Sequence, residues 1–146
     1  MVVAIIFFAV VGSEFLSNIC DMSDAYKIKV NVLPEYLADQ SEPDAGRYVF
    51  AYHISIRNTG RVPAQLLSRH WFITDEAEQV EEVTGEGVVG EQPLIAPGGE
   101  YQYSSFCILD TPLGTMHGSY QMIAEDGTLF EADVPTFMLA MPGKLN

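Results

Sequence analysis

Apolar and polar residues alternate along most of this chain, and a period of two predicts β-strands rather than helices. The clearest run extends from Tyr48 to Ile56, where every second residue is apolar or aromatic and the intervening positions include His53 and Ser55. Similar runs cover residues 28–32, 65–74, 80–84, 101–109, 115–124, 128–134 and 137–140. About eight strands at roughly ten-residue spacing predict an all-β antiparallel sandwich or barrel.

Turn residues separate several of these predicted strands. Asn-Thr-Gly at 58–60 and Pro-Gly-Gly at 97–99 favour tight turns, and Asp126-Gly127 is typical of a two-residue β-hairpin. No internal repeat or low-complexity tract interrupts the series. The pattern is that of consecutive antiparallel strands with short connections.

The run at 65–74 does not alternate cleanly. Leu67 is expected to share a face with Trp71, and Leu66 to lie on the opposite face. Arg69 and His70 then interrupt both faces. We therefore predict a β-bulge or an edge kink at the Arg69-His70 pair.

The first 21 residues do not share the strand pattern. Ten consecutive apolar residues at 2–11 precede Gly-Ser-Glu-Phe, which is too short a run to span a bilayer as a helix. The run has the length of a signal-peptide core, but it lacks a preceding basic residue and a clear small-x-small cleavage site. We expect residues 1–21 to be a miscalled start or a cloning-derived leader, with a degenerate signal or anchor as the alternative. The domain is expected to cover residues 22–146, beginning at a second methionine, Met22.

Charge is strongly negative overall but uneven along the chain. The net charge of −13 argues against nucleic acid or an anionic membrane as the main partner. Residues 45–74 contain no acidic residue but hold four of the seven basic side chains, namely Arg47, Arg57, Arg61 and Arg69. This region could hold a small anion or an acidic partner, or its arginines could simply pair with neighbouring carboxylates.

A G-x-G-x-x-G motif is formed by Gly85, Gly87 and Gly90. Dinucleotide-binding sites need a helix after these glycines, whereas the two valines within the motif and the Gln-Pro at 92–93 argue against one. Two interpretations remain open. The loop could present converging N–H groups to an anion beside Arg61 or Arg69, or it could be a tight connection between strands.

Motifs for catalysis or metal binding are not found. The chain has no G-x-S-x-G and no phosphate-binding G-x-x-x-x-G-K-[ST] sequence. His53, His70, Cys107 and His117 do not have the short spacing of a zinc site. Since Cys107 is the one cysteine within 22–146, no disulfide is predicted there, as in a reducing compartment. We predict no catalytic residue, no metal ligand and no cofactor.

Five segments together resemble the bacterial ApaG family. They are RYVFAY at 47–52, QLLSRHW at 65–71, GEGVVG at 85–90, QP at 92–93 and GTMHGSY at 114–120. The resemblance implies a β-sandwich similar to fibronectin type III and immunoglobulin domains. It also implies an association with cobalt and magnesium resistance and efflux, and related eukaryotic domains resemble protein-interaction modules.

The resulting hypothesis is a non-enzymatic, cytoplasmic β-sandwich that acts through contacts with a protein partner and is linked to divalent cation homeostasis. The alternative hypothesis is a binder of a small anion, pyrophosphate or a nucleotide. The residues predicted for that alternative are Gly85, Gly87, Gly90, Arg61 and Arg69. Neither hypothesis includes a membrane span or nucleic acid, and both leave the oligomeric state open.

Overall fold

Two antiparallel sheets pack face to face in the computed structural model, which describes residues 25–143. In chain order the strands are β1 (Ile28–Tyr36), β2 (Tyr48–Asn58), β3 (Ala64–Asp75), β4 (Val80–Glu86), β5 (Leu94–Ile95), β6 (Glu100–Leu109), β7 (Leu113–Ala124) and β8 (Leu129–Ala140). Two short 3-10 turns, Ala38–Gln40 and Pro43–Ala45, lie between β1 and β2. The predicted all-β antiparallel sandwich is confirmed. The predicted leader at 1–21 lies outside the described residues.

The two sheets differ in size. The smaller has the strand order β1–β2–β6, and the larger has the order β4–β3–β7–β8, with β5 paired to the start of β3. Strand β2 crosses the middle of the smaller sheet, and its alternating residues Phe50, Tyr52, Ile54 and Ile56 are buried as the sequence predicts. Their burial on one face follows from the period of two, which directs every second side chain to the core.

Trp71 of β3 is the centre of an aromatic cluster in the core. Its ring meets the rings of Tyr52, Tyr120 and Phe137 edge-on, at centroid distances of 5.8, 5.9 and 6.1 Å. Strand β7 makes room for the indole with Gly118, since a Cβ there would lie 2.8 Å from the indole Cε3 atom. Such edge-to-face pairs each add about 0.5–1.5 kcal/mol beyond the burial of their area.

A β-bulge lies in β3, two residues earlier than predicted. The pairing of β3 with β7 shifts register between Leu66 and Ser68, so Leu67 is the extra residue. Because of this shift, Leu66 shares the core face with Trp71, and Leu67 is only half-buried. The prediction that Leu67 and Trp71 share a face is therefore wrong, since an inserted residue exchanges the two faces of the strand beyond it.

The C-terminal part of the sheet also differs from the prediction. The runs at 128–134 and 137–140 form one strand, β8. A register shift opposite β7 accommodates Pro135 between them, because Met116 pairs with Phe137 whereas Gly118 pairs with Val134. A proline cannot donate a hydrogen bond to the ladder, so it interrupts the alternation without ending the strand. The two-residue strand β5 was too short for the pattern to indicate.

One side of the sandwich is closed and the other is open. On the closed side β1 lies against β8. On the open side the edge strands are β4 of the larger sheet and β6 of the smaller one. Within residues 25–143, no further strand pairs with the outer edges of β4 and β6.

Candidate functional site

A cleft runs between β4 and β6, on the open side of the sandwich. It consists of two adjoining cavities of about 240 and 370 Å³. Residues common to both cavities are Tyr52, Arg69, Trp71, Ser105 and Phe106. The cleft therefore has an aromatic floor and contains one guanidinium group.

Arg69 enters the cleft because it lies two residues before Trp71 on the same face of β3. Its Nη1 donates hydrogen bonds to the carbonyl oxygens of Glu86, at 3.1 Å, and of Gly87, at 2.8 Å. Gly85 pairs directly with Arg69 across the two strands, and a Cβ at position 85 would lie 2.8 Å from both terminal nitrogen atoms. The first glycine of the motif thus provides space for the arginine.

The rest of the glycine motif forms a tight hairpin. Val88 and Glu91 exchange two backbone hydrogen bonds of 2.8 and 3.0 Å. Between them, Val89 and Gly90 both have positive φ, +48° and +80°, as in a type I′ turn. The N–H of Gly87 donates to the carbonyl of Leu67 at 2.8 Å. The loop therefore engages these N–H groups internally and directs carbonyl oxygens, not N–H groups, at Arg69.

The other predicted anion-site residue, Arg61, lies in the loop between β2 and β3. Its backbone N–H donates to the carbonyl of Ala25 at 3.0 Å. Arg69, Gly85 and Gly87 are thus in direct contact, and Gly90 lies at the tip of the hairpin. In the described chain no helix follows Gly90, since β5 comes next, in agreement with the argument from the valines and the proline.

Two exposed apolar side chains stand at the mouth of the cleft. Val89 is 64% exposed and Phe106 is 64% exposed, and both line the smaller cavity. Val89 is in addition β-branched at positive φ, a conformation that costs about 1–3 kcal/mol and is concentrated at functional sites. Its neighbour Val88 is fully buried and anchors the hairpin in the core.

The hydroxyl and thiol groups of the cleft are neutral. Tyr103 and Tyr120 share a hydrogen bond of 2.5 Å between their hydroxyl oxygens. Burial raises the pKa of both tyrosines and of Tyr52. Burial, with a smaller contribution from the charge of Glu81, also raises the pKa of the Cys107 thiol to about 12. A thiol with such a pKa is not a nucleophile at neutral pH, and at that pH these groups act in the cleft as neutral apolar and hydrogen-bonding groups.

The end of the cleft away from Arg69 is acidic. Glu81 of β4 lines the larger cavity and pairs with Ile73 of β3. Together with Asp75 and Asp110 it also lines an adjoining cavity of about 150 Å³. Because Arg69 and Ile73 are four residues apart on one strand, the cationic and anionic ends are separated by about 13 Å.

A second polar cluster, which the sequence did not indicate, lies on the outer face of the smaller sheet. His53 contacts the Ser104 hydroxyl through Nδ1 at 2.6 Å and the Glu35 carboxylate through Nε2 at 2.8 Å. These residues come from three adjacent strands, and the side chains of His53 and Glu35 are 41% and 57% exposed. The order of groups resembles a Ser-His-acid triad, but the ring nitrogens are exchanged, since in such a triad Nε2 meets the serine and Nδ1 meets the acid. The contacts join three adjacent strands of the smaller sheet.

The cleft residues come from separate strands, so no local motif could have revealed the site. One signal was available in β6, where Phe106 and Ile108 occupy positions that the alternation reserves for polar residues. Within residues 25–143, no group of three or more His, Cys, Asp or Glu side chains is placed to hold a metal ion. No helix in that same part of the chain is long and apolar enough to cross a membrane.

Comparisons with known proteins agree with this architecture. The crystal structure of an ApaA protein from Bordetella pertussis superposes with a TM-score of 0.80 at 52% identity, covering 82% of this chain and 98% of that one. The ApaG protein of Aromatoleum aromaticum is 60% identical over 124 residues, which are 85% of this chain and 98% of the relative. That of Thiobacillus denitrificans is 60% identical over 121 residues, covering 83% and 95%. Residues 38–124 match the family model of the ApaG domain, and the chain therefore belongs to the ApaG family.

Proposed function

We propose that this protein is a non-enzymatic interaction module and that the cleft between β4 and β6 receives a partner protein. The observation that carries the proposal is the position of the cleft between two strand edges that pair with no other strand of residues 25–143, with Val89 and Phe106 exposed at its mouth. Free edges can pair with an added strand. Exposed apolar residues beside a cleft are typical of protein-binding surfaces.

The strain at Val89 supports the same proposal. An asparagine or glycine would form this turn at lower free energy, and an exposed valine gains no compensating burial within the described chain. A partner that covers Val89 would supply that burial. The residue is therefore better explained by binding than by folding.

The biological role that we propose is the one implied by the ApaG resemblance, namely cobalt and magnesium resistance and efflux, in the cytoplasm. The module would act on a transporter or on an assembly that controls one. The neutral thiol and tyrosines of the cleft support a binding role rather than a chemical one.

A second candidate function is the binding of a small anion such as pyrophosphate or a nucleotide. The observation that favours it is the half-buried Arg69, whose Nη1 donates to two neutral carbonyl groups rather than to a carboxylate. The anion would meet the guanidinium, since the N–H groups of Gly87 and Val88 are engaged in the hairpin. A rise in melting temperature with pyrophosphate or ATP that Arg69→Met abolishes would support this candidate.

Site-specific crosslinking in cells tests the main proposal. A photoreactive phenylalanine analogue at Phe106 is compared with the same analogue at Leu129, which is 70% exposed but lies on β8. We expect one discrete adduct from position 106 and none from position 129. Deletion of the gene and Phe106→Ser are then both expected to sensitise cells to cobalt, while Leu129→Ser is not. Equal adducts at both positions would contradict the proposal.

A further inference from the structure

We infer that the cleft recognises an extended segment of the partner with a basic residue and, four positions later, an acidic residue. This inference rests on the function proposed above and specifies the chemistry of the partner. It follows from the charges at the two ends of the cleft, their spacing, and the difference between the two edges that border it.

The strand edge that accepts the segment is that of β6. From 102 to 109 this strand is uncharged, with the sequence QYSSFCIL. The opposite edge, β4, carries Glu81, Glu82 and Glu86 within seven residues. Charged side chains are the usual protection of an edge against strand addition, so β4 is protected and β6 is not.

The two ends of the cleft have opposite charge. Arg69 uses Nη1 for the carbonyl oxygens of Glu86 and Gly87, and the remaining donors of its fork suit a carboxylate. At the other end Glu81, with Asp75 and Asp110 in the adjoining cavity, suits an ammonium or guanidinium group. A segment with both charges is complementary to the cleft, and a segment with one charge satisfies only half of it.

The distance between the basic and acidic ends of the cleft sets the number of residues between the two charged residues of the bound segment. Arg69 and Ile73, the partner of Glu81, are four residues apart on β3. An extended segment has the same rise per residue as β3, and its side chains at i, i+2 and i+4 point to one side. The two charged residues are therefore at i and i+4, and the residue at i+2 lies against Trp71 and Val83, which pair with each other at the middle of the cleft.

The direction of β6 sets the order of the charges. Strand β6 runs from the basic end of the cleft to the acidic end. Its Ser104 lines the same cavity as Arg69 and Val88, and its Ile108 lines the same cavity as Glu81. All strand pairs of both sheets are antiparallel, and we infer the same for the added segment. Its first residues then lie at the acidic end, which places the basic residue before the acidic one.

Three fluorescein-labelled peptides test this inference against the full-length chain by fluorescence anisotropy. Their central sequences are Lys-Thr-Val-Thr-Glu, the reverse Glu-Thr-Val-Thr-Lys and the neutral Gln-Thr-Val-Thr-Gln, all with the same uncharged flanks. We expect the first peptide to bind about tenfold more tightly than either of the others, since a charge-assisted contact contributes about that factor. Arg69→Met and Glu81→Gln are each expected to weaken it about tenfold.

Matched control variants separate the cleft from the general charge of the protein. Arg57→Met removes an exposed arginine from the outer face of β2, and Glu82→Gln removes the neighbour of Glu81 on the other face of β4. Neither is expected to change peptide binding more than twofold, about 0.4 kcal/mol. Circular dichroism establishes that each variant is folded. If Arg69→Met does not fold, Glu81→Gln, at an exposed position, tests the charge pattern by itself.

The outcomes distinguish this inference from the proposed function. Equal binding of all three peptides that Phe106→Ser abolishes would overturn the charge pattern and leave the cleft as the interaction site. Tighter binding of the reverse peptide would overturn the antiparallel order. Binding that Phe106→Ser does not affect would place the peptides elsewhere and overturn both, and binding of none of the peptides would overturn the inference.

Discussion

The guanidinium of Arg69 lies directly against Gly85 of the neighbouring strand, with no room for a methyl group between them. This contact explains the first glycine of the G-x-G-x-x-G motif by packing rather than by phosphate binding. It also keeps the arginine on the core face of β3, where the carbonyl groups of Glu86 and Gly87 accept its hydrogen bonds. Buried charge without such partners is costly.

Gly85→Ala is expected to displace Arg69 and to lower the free energy of unfolding by about 1–3 kcal/mol, as overpacked substitutions do. Chemical denaturation of the variant measures the change. In the background of Arg69→Ala the same substitution is expected to cost much less, because the clash is removed. Equal costs in both backgrounds would show that the two residues do not interact.

Val89→Asn is expected to stabilise the protein, because asparagine tolerates the positive φ of this turn and the valine does not. The gain is about 1 kcal/mol, or several degrees in melting temperature for a domain of this size. Under the proposed function the stabilised variant binds its partner less well. Val88→Asn, a control at the buried neighbouring position, is expected to destabilise the protein strongly, and a melting temperature lowered by Val89→Asn would contradict the turn geometry.

Asn58 is a buried polar residue whose amide holds three connections together. Its Nδ2 donates to the carbonyls of Val62, at 2.8 Å, and Ile95, at 2.9 Å, and its Oδ1 accepts the N–H of Gly60 at 2.9 Å. Asn58→Ala leaves these buried groups without partners, at about 1–3 kcal/mol. Thermal unfolding is the measurement, with Thr59→Ala as a neighbouring exposed control. A loss no larger than that of the control would contradict the assigned role.

The stability of the protein is expected to fall at alkaline pH through Cys107. The pKa of its thiol is about 12 in the folded state and about 9.0 in the unfolded state. Above pH 9 the unfolded state therefore binds fewer protons than the folded state. The free energy of unfolding then decreases with pH. The contribution of this thiol is fully present below pH 9 and is lost progressively between pH 9 and 12.

Denaturation at pH 8 and pH 10.5 measures this effect, with Cys107→Val as the comparison. The buried tyrosines also titrate in the alkaline range, but they are common to both proteins, so the difference between the two slopes isolates the thiol. The variant is expected to lose less stability than the parent chain. Parallel losses would show that Cys107 titrates normally.

The sequence by itself determined most of the strands, the main turns and the family. Strand alternation and turn chemistry are local properties, so β2, the turn at 97–99 and the position of the hairpin at Asp126-Gly127 all followed from neighbouring residues. The predicted two-residue loop of that hairpin is wrong, since Ala124 and Thr128 flank a loop of three residues. The G-x-G-x-x-G motif could likewise be separated from a dinucleotide site by the residues within it and just after it.

The tertiary structure alone decided which residues of β3 face the core on either side of its bulge, and where the cleft lies. One inserted residue at Leu67 exchanged the faces of β3, and a register shift of this kind depends on the partner strand rather than on local sequence. Glu81, Arg69 and Phe106 come together only because β4, β3 and β6 border the open side of the sandwich. Residues that are distant in the chain become one site through sheet pairing and packing, which the pattern along a single strand does not contain.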